Sequence, residues 1–437
     1  MTARSTRTLA AQALIRVERG GYANLVLAGL MENSGLAPRD RAFAARLTYG
    51  TLERQRTLDA RLSRYLKKPI ARLDAEVRAA LRLGLYQILY MDSVPAAAAV
   101  SESVKLTRAL GKSSAAGMVN AVLRRSGGPW DPQFSNEVER LGILYSVSDP
   151  VAALLYHAFG AQAEEILAAS FSTPAMAIRV NTLKTDAESL VQQLAQQGIC
   201  AESAGIENGL ILKGAGEITR LEAFRGGLFH VQGTASQIAA AVLDPQPGQR
   251  VLDLCAAPGG KSATLAQRME NRGELFSCDA AASRLSLIEK LLNRLGIGCA
   301  KILCNDATRS NPTLFGMDRV LCDVPCSGLG VLAKKPDIRY KDLRDLPRLI
   351  QTQRAILETG AAALKPGGRL VYSTCTLNPE ENQQVVTDFL SRHREFRPAV
   401  FPILDCPGAL REDGMMTFLP GRCDTDGFFV ACLERLW

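Results

Sequence analysis

The chain has 437 residues, 47% hydrophobic and 22% charged, a globular composition that excludes a disordered or fibrous protein. No run of about 18 apolar residues is present, which excludes a membrane-spanning helix. The formal net charge of +8 is unevenly placed: residues 1–130 hold 21 Lys and Arg against 9 Asp and Glu, a net of +12, and the rest of the chain carries −4. A basic module on a near-neutral body is drawn to a polyanion, nucleic acid above all, although a solvated arginine-rich helical surface accounts for the charge equally well. Residues 1–20 lack the continuous apolar stretch of a secretory signal and read as the start of a first helix. Eleven cysteines occur without any C-x-x-C, and the histidines are His157, His230 and His393. No metal site is expected, and reduced thiols in a cytoplasmic protein are the default.

Residues 5–126 read as helix after helix. Apolar residues recur at three- and four-residue spacing in Leu9, Ala13, Leu14 and Val17 and again in Val77, Leu81, Leu85, Ile88 and Leu89. Breaks fall at Gly20-Gly21, between Gly35 and Pro38, at Pro69, at Pro95 and at Gly127-Gly128-Pro129. The pattern predicts an all-helical bundle over residues 1–130. Its opening helix Arg7 to Val17, the segment Pro95 to Leu110 and the string Val119 to Arg125 resemble the NusB family of RNA-binding bundles, with Ser101 where that family usually has Asn.

Residues 131–232 are mixed. Pro150 to Ala169 is helical by pattern, Ala177 to Thr182 reads as a strand, and a helix follows from Asp186 to Gln197. Short strands at Gly209 to Leu212 and Gly227 to Gln232 complete a small α+β unit. Residues 233–437 then alternate strand and helix. Strands are expected at Val251 to Leu254, Glu274 to Cys278, Ala300 to Cys304, Arg319 to Cys322 and Arg369 to Ser373. Helices are expected at Lys261 to Met269, Ser283 to Leu295 and Leu346 to Leu364. This is the pattern of a doubly wound, Rossmann-like α/β domain, whose ligands sit beyond the carboxyl ends of its strands.

Between the first of these strands and its helix lies Asp253-Leu254-Cys255-Ala256-Ala257-Pro258-Gly259-Gly260-Lys261. Small residues and paired glycines let a ligand approach the backbone, and a helix start offers free N–H groups. The spacing matches neither G-x-G-x-x-G nor a P-loop, so pyrophosphate is not the favoured ligand. Asp279 and Asp306, each at or just past the end of a later strand, are candidates for ribose and adenine contacts; a tight turn with ordinary strand-end aspartates is the alternative for each alone. With Asp323 they resemble the cofactor cleft of S-adenosylmethionine-dependent methyltransferases, in which Arg284 matches a basic position. Ala280-Ala281-Ala282 stand where further polar groups are usual, so ribose recognition leans on Asp279.

Two cysteines, Cys326 in Asp323-Val324-Pro325-Cys326-Ser327-Gly328 and Cys375 in Ser373-Thr374-Cys375-Thr376, fall on this ligand edge. Cys255 would act through its backbone. For the other eight cysteines buried packing is expected. The two cysteine motifs, the strings Lys335 to Tyr340 and Asn378 to Asn382, and the closing Asp426-Gly427-Phe428-Phe429 resemble the RNA cytosine-5 methyltransferase family. That resemblance implies S-adenosylmethionine as cofactor, held by Cys255 to Lys261, Asp279, Arg284, Asp306 and Asp323. It implies Cys375 as the nucleophile, Cys326 as the group that helps release product, and Asp323 as the group holding ring nitrogen N3. With the NusB-like front end it implies small-subunit ribosomal RNA as substrate and a monomeric, membrane-free enzyme. Transfer RNA as substrate, or an RNA-binding assembly factor with an inactive methyltransferase domain, are the competing readings.

Overall fold

A computed structural model describes residues 5–32, 34–400, 406 and 408–437; of the opening segment, residues 1–4 lie outside them. The chain divides into two compact units, residues Met1–Phe171 with Leu332–Asp342, and Ser172–Val331 with Leu343–Trp437.

The first unit is helical: α1 (Thr6–Glu18), α2 (Ala23–Glu32), α3 (Pro38–Glu53), α4 (Gln55–Ser63), α5 (Ala75–Tyr90), α6 (Ala96–Ala109), α7 (Ala116–Ser126), α8 (Glu137–Leu144), α9 (Asp149–Phe159) and α10 (Gln162–Ala169). The anticipated breaks separate them. Helix α5 is buried continuously from Ala79 to Gln87, as a central helix covered on all sides must be. Its buried Arg82 is satisfied by a two-pronged pair with Asp59, both contacts at 2.8 Å. The string Lys335 to Tyr340 belongs to this unit. Arg339 is fully buried, donating to Tyr145 O, Ser170 O and Ser170 Oγ over the Phe171 ring, and the Tyr340 hydroxyl donates to Leu52 O at 2.7 Å. This motif is therefore a tether within the helical unit.

The second unit opens with a four-stranded antiparallel sheet: β1 (Met176–Val180), β2 (Cys200–Ser203), β3 (Gly209–Lys213) and β4 (Phe229–Val231), in the order β2-β3-β1-β4. Helices α11 (Ala187–Ala195) and α12 (Glu222–Arg225) accompany it. Helix α13 (Thr234–Leu243) leads into the large sheet. There β5 (Arg250–Asp253), α14 (Gly260–Arg268), β6 (Glu274–Asp279), α15 (Ala282–Leu295), β7 (Ala300–Cys304), β8 (Met317–Asp323), α16 (Leu346–Ala363), β9 (Leu364–Thr374) and α17 (Gln383–Arg392) alternate. Strands β9, β8, β5, β6 and β7 are parallel in that spatial order. Successive residues of each strand enter opposite cores. Val251, Leu275, Leu321 and Val371 pack against α13, α14 and α15, while Leu252, Phe276, Val320 and Leu370 pack against α16 and α17. Helical bundle, small α+β part and doubly wound α/β part thus stand as expected.

Some expectations need correction. Pro150 to Ala169 is helical as expected, with one refinement: it is two helices, α9 and α10, parted at Gly160, whose φ of +56° no continuing helix accommodates. The α/β sheet is extended by β10 (Phe396–Pro398), β11 (Leu410–Glu412), β12 (Met415–Phe418) and β13 (Phe428–Arg435), with β13 antiparallel to β9. Buried packing fails for Cys200 and Cys304, which are exposed because β2 and β7 are edge strands. Cys406 and Cys423, read as free thiols, are joined in a disulfide.

Candidate active site

Register aligns the strand ends. Asp253 pairs with Ser277 of β6 and Leu321 of β8, Asp279 with Cys304, and Asp323 with Ser373. The carboxyl ends of β5 to β9 therefore form one edge, the place where open α/β sheets hold ligands.

The loop after β5 is pinned by the Ala256 N–H donating to Cys278 O and the Gly259 N–H donating to Ala256 O, both at 2.7 Å; its Ala257–Pro258 peptide is cis. Gly259 has φ +107°, and a Cβ there would come within 3.2 Å of Ile288 Cα. Conformation and close packing both require glycine. At Gly260 a Cβ would meet nothing nearer than 3.8 Å. Packing within the chain does not call for glycine here, and its effect is to leave the start of α14 bare for an approaching group. Cys255 packs its side chain against the sheet core, and burial pushes its thiol well up.

Asp279 is buried, and its Oδ1 accepts from the Ala281 N–H at 2.9 Å and Arg284 Nη2 at 2.7 Å. Its Oδ2 takes no hydrogen bond from the described residues. Arg284 thus lies at the cleft through its ion pair with Asp279. The Asp306 Oδ1 accepts from the N–H and hydroxyl of Thr308, which lower its pKa, and its carboxylate is about half exposed. A bare helix start beside a buried carboxylate with an unclaimed oxygen fits the nucleoside part of S-adenosylmethionine.

The adjacent parallel strands β8 and β9 bring Cys326 and Cys375 together, with their sulfurs 3.3 Å apart. The Cys375 sulfur, burial and the Glu381 charge all push the Cys326 thiol well above its ordinary range. Asp323 stands beside them: its Oδ2 accepts from Lys261 Nζ at 2.7 Å and its Oδ1 from the Ser373 hydroxyl at 2.8 Å. Burial opposes the Lys261 charge, but Asp323 and the neighbouring Cys375 outweigh it and hold the ammonium above its usual range. Loop, lysine, aspartate and both cysteines therefore form one constellation.

Sequence reading missed what braces this constellation. The Gly330 N–H donates to Cys375 O at 3.0 Å, and the Gly427 N–H donates to Gly330 O at 2.9 Å. A Cβ on Gly330 would fall 2.0 Å from Gly427 O, so these two backbones touch only because both residues lack side chains. The signal was present in the closing Asp426-Gly427 motif, but its partner lies almost a hundred residues earlier.

Asp253 was not a candidate. It is fully buried, and burial raises its pKa to about 7 even though the Ser262 hydroxyl donates to it at 2.7 Å. A raised carboxyl pKa favours the folded state while the group stays protonated. Stability from this source therefore falls as pH rises from the unfolded value of 3.8 toward about 7. Asp253→Asn mimics the protonated form. Urea unfolding from about pH 5 to pH 7 is expected to show a shallower loss of stability in this variant than in the wild type; parallel profiles would contradict the assignment.

In the helical unit, α5, α6 and α7 enclose a groove of about 640 Å³. Its floor includes Val100, Val104 and Leu123, and its rim carries Lys105, Arg108 and Arg124 with no acidic residue among the lining. Arg108 and Arg124 are exposed and make no ion pair among the described residues.

Comparison with known proteins bears on both units. Residues 240–434 match the family model for 16S rRNA methyltransferase RsmB/F, residues 4–127 the NusB family, and residues 152–219 the ferredoxin-like domain of RsmF/B-like methyltransferases. Proteins named "Probable ribosomal RNA small subunit methyltransferase B" are similar over nearly the whole chain. The one from Synechocystis is 37% identical, covering 95% of this chain and 96% of that relative; the one from Bacillus subtilis is 35% identical, covering 99% of each. The chain belongs to the ribosomal RNA small subunit methyltransferase B family. The crystal structure of PH0851 covers 100% of this chain and 99% of that one, with a TM-score of 0.82 and 27% identity. A methyltransferase of this family requires a methyl donor. Among the described residues no helix is long and apolar enough to cross a membrane, and no group of three or more potential metal ligands occurs.

Proposed function

We propose that this protein methylates carbon 5 of a cytosine in small-subunit 16S ribosomal RNA, with S-adenosylmethionine as donor and a covalent cysteine–cytosine intermediate. The observation that carries this reading is the pair of sulfurs 3.3 Å apart beside the Lys261–Asp323 pair at the strand ends. S-adenosylmethionine, when bound, supplies an electrophilic methyl group; the bare turn at Gly259-Gly260 and the free oxygen of Asp279 are the groups that would hold it.

Carbon 5 of cytosine is a weak nucleophile. Bonding the Cys375 sulfur to carbon 6 turns the ring into an enamine, which splits one hard step into two easier ones. Negative charge develops at ring nitrogen N3 during that addition, and Asp323, in its protonated form, donates the proton that neutralises it there. After methylation a water molecule takes the carbon 5 proton, the electrons of that bond restore the ring double bond, and the Cys375 sulfur is expelled from carbon 6 as thiolate. Cys326, carrying its proton next to the departing sulfur, assists that release. The target base must leave its stack to reach the cleft. Transfer of tritium-labelled methyl groups to unmodified 16S RNA, followed by bisulfite mapping, tests the proposal. One cytosine is expected to become resistant; a mark on another atom or only on transfer RNA would overturn it.

The groove of the helical unit supplies a phosphate-binding surface for that RNA. Arg108→Glu with Arg124→Glu is expected to weaken RNA affinity about 10- to 100-fold and to flatten its dependence on salt, as two lost phosphate contacts require. Filter binding at several salt concentrations measures both, and unchanged affinity would remove the groove from the RNA path.

A further inference from the structure

We propose that Glu381 is a positioning residue: its buried carboxylate ties the segment after Cys326 to the segment after Cys375 and so sets the spacing of the two sulfurs. The inference rests on the reading of those cysteines as the catalytic pair.

Glu381 has no exposed surface, and it touches both loops. Its Oε2 accepts from the Ser327 N–H at 2.8 Å and from Gln353 Nε2 at 2.9 Å. Its Oε1 accepts from the Ser327 hydroxyl at 2.5 Å and from Asn378 Nδ2 at 3.2 Å. Ser327 directly follows Cys326. Its hydroxyl is also 2.6 Å from the Thr376 hydroxyl, and Thr376 directly follows Cys375. Gln353 of α16 donates in addition to Pro325 O at 2.9 Å, so the residue before Cys326 is held through the same amide. On the far side of Cys375, Thr374 donates to Asn382 Oδ1 at 2.6 Å, and Asn382 Nδ2 donates to Thr376 O at 3.0 Å. Each cysteine is thus fixed before and after itself, and the carboxylate is where the two sets of bonds meet.

A buried carboxylate is expensive unless donors surround it, and here donors do. An apolar side chain would leave the Ser327 N–H and the Gln353 and Asn378 amides without this acceptor, so the carboxylate also contributes to folding. What the acid adds is a two-oxygen acceptor that spans two loops, together with a negative charge next to the thiol of Cys326 rather than next to Lys261. A glutamine keeps the shape. Its amide nitrogen can face the Ser327 hydroxyl, which accepts as well as donates, but the charge and one acceptor are lost.

The test uses the full-length protein with Glu381→Gln, and with Ser327→Ala as a second variant that removes one leg of the bridge and keeps the carboxylate. Three quantities are measured: thermal midpoint, KM and kcat for methylation of 16S RNA, and the fraction of Cys326 and Cys375 bridged by dibromobimane in the absence of RNA. For Glu381→Gln the expected result is a fall in kcat of about 30-fold or more with KM for RNA changed less than about threefold, a bridging yield at least halved, and more RNA–protein adduct on denaturing gels. Ser327→Ala is expected to shift the same quantities in the same direction by less. A purely structural role would lower the thermal midpoint and the active fraction but leave kcat per active site and the adduct fraction unchanged. Wild-type kcat and bridging in both variants would overturn the inference. Cys375→Ala and Cys326→Ala, run alongside, separate the two questions: if Cys375→Ala is inactive and Cys326→Ala traps adduct while the Glu381 and Ser327 variants behave as wild type, only the role of Glu381 falls.

Discussion

Cys375→Ala is expected to lower methyl transfer on the order of a thousandfold or more, because it removes the thiol assigned to bond carbon 6. That loss corresponds to at least about 4 kcal/mol of barrier. Cys326→Ala is expected to fail differently. The attacking sulfur is still present, so the covalent stage is reached, but the thiol that sits 3.3 Å away is gone. RNA should then accumulate as an adduct that survives denaturing electrophoresis and disappears in the double variant. Residual turnover in Cys375→Ala near the wild-type level, or an adduct formed through Cys326, would reverse the assignment of the two sulfurs.

Lys261→Met is expected to damage both stability and chemistry. The lysine is largely buried and its ammonium is paired with Asp323 at 2.7 Å. Removing one partner of a buried pair leaves the other without compensation, at a cost of about 3 kcal/mol, seen as a lower urea midpoint. Asp253 would feel this too, since the Asp323 charge already raises its pKa. The chemical effect follows from the electrostatic contact between Lys261 and Cys375: with the cation gone, less thiolate forms. Alkylation of Cys375 by iodoacetamide at neutral pH should slow at least about tenfold, and an unchanged rate would show that the lysine serves only the fold.

Much of this arrangement was legible from residue order. Strand–loop–helix alternation placed Asp253, Asp279, Asp323, Cys326 and Cys375 along one edge, because period and loop length are local properties. The antiparallel strands β10 to β13 were not foreseen. They join the sheet through β13 alone, which pairs with the distant β9, and a short apolar run such as Met415–Phe418 does not declare its neighbour. For the same reason the Lys335 to Tyr340 string could be noticed but not understood. Its meaning depends on Tyr145, Ser170 and Leu52, contacts made across some 170 to 290 residues. For Asp306 residue order gave the position just past β7 but not the hydrogen bond from the Thr308 hydroxyl two residues on, a local bond of the kind acidic residues accept in turns.

The contact of Gly330 with Gly427 has a consequence for the order of events during synthesis. Every residue of the glycine turn and both cysteines have been translated by position 375, yet Gly330 O gains its donor, the Gly427 N–H, and β9 gains its antiparallel neighbour only once Gly427 and the following strand arrive. A nascent chain that carries all of its reactive groups therefore still lacks the strand that flanks β9 on its outer side, and the sheet is completed only when β13 pairs with β9.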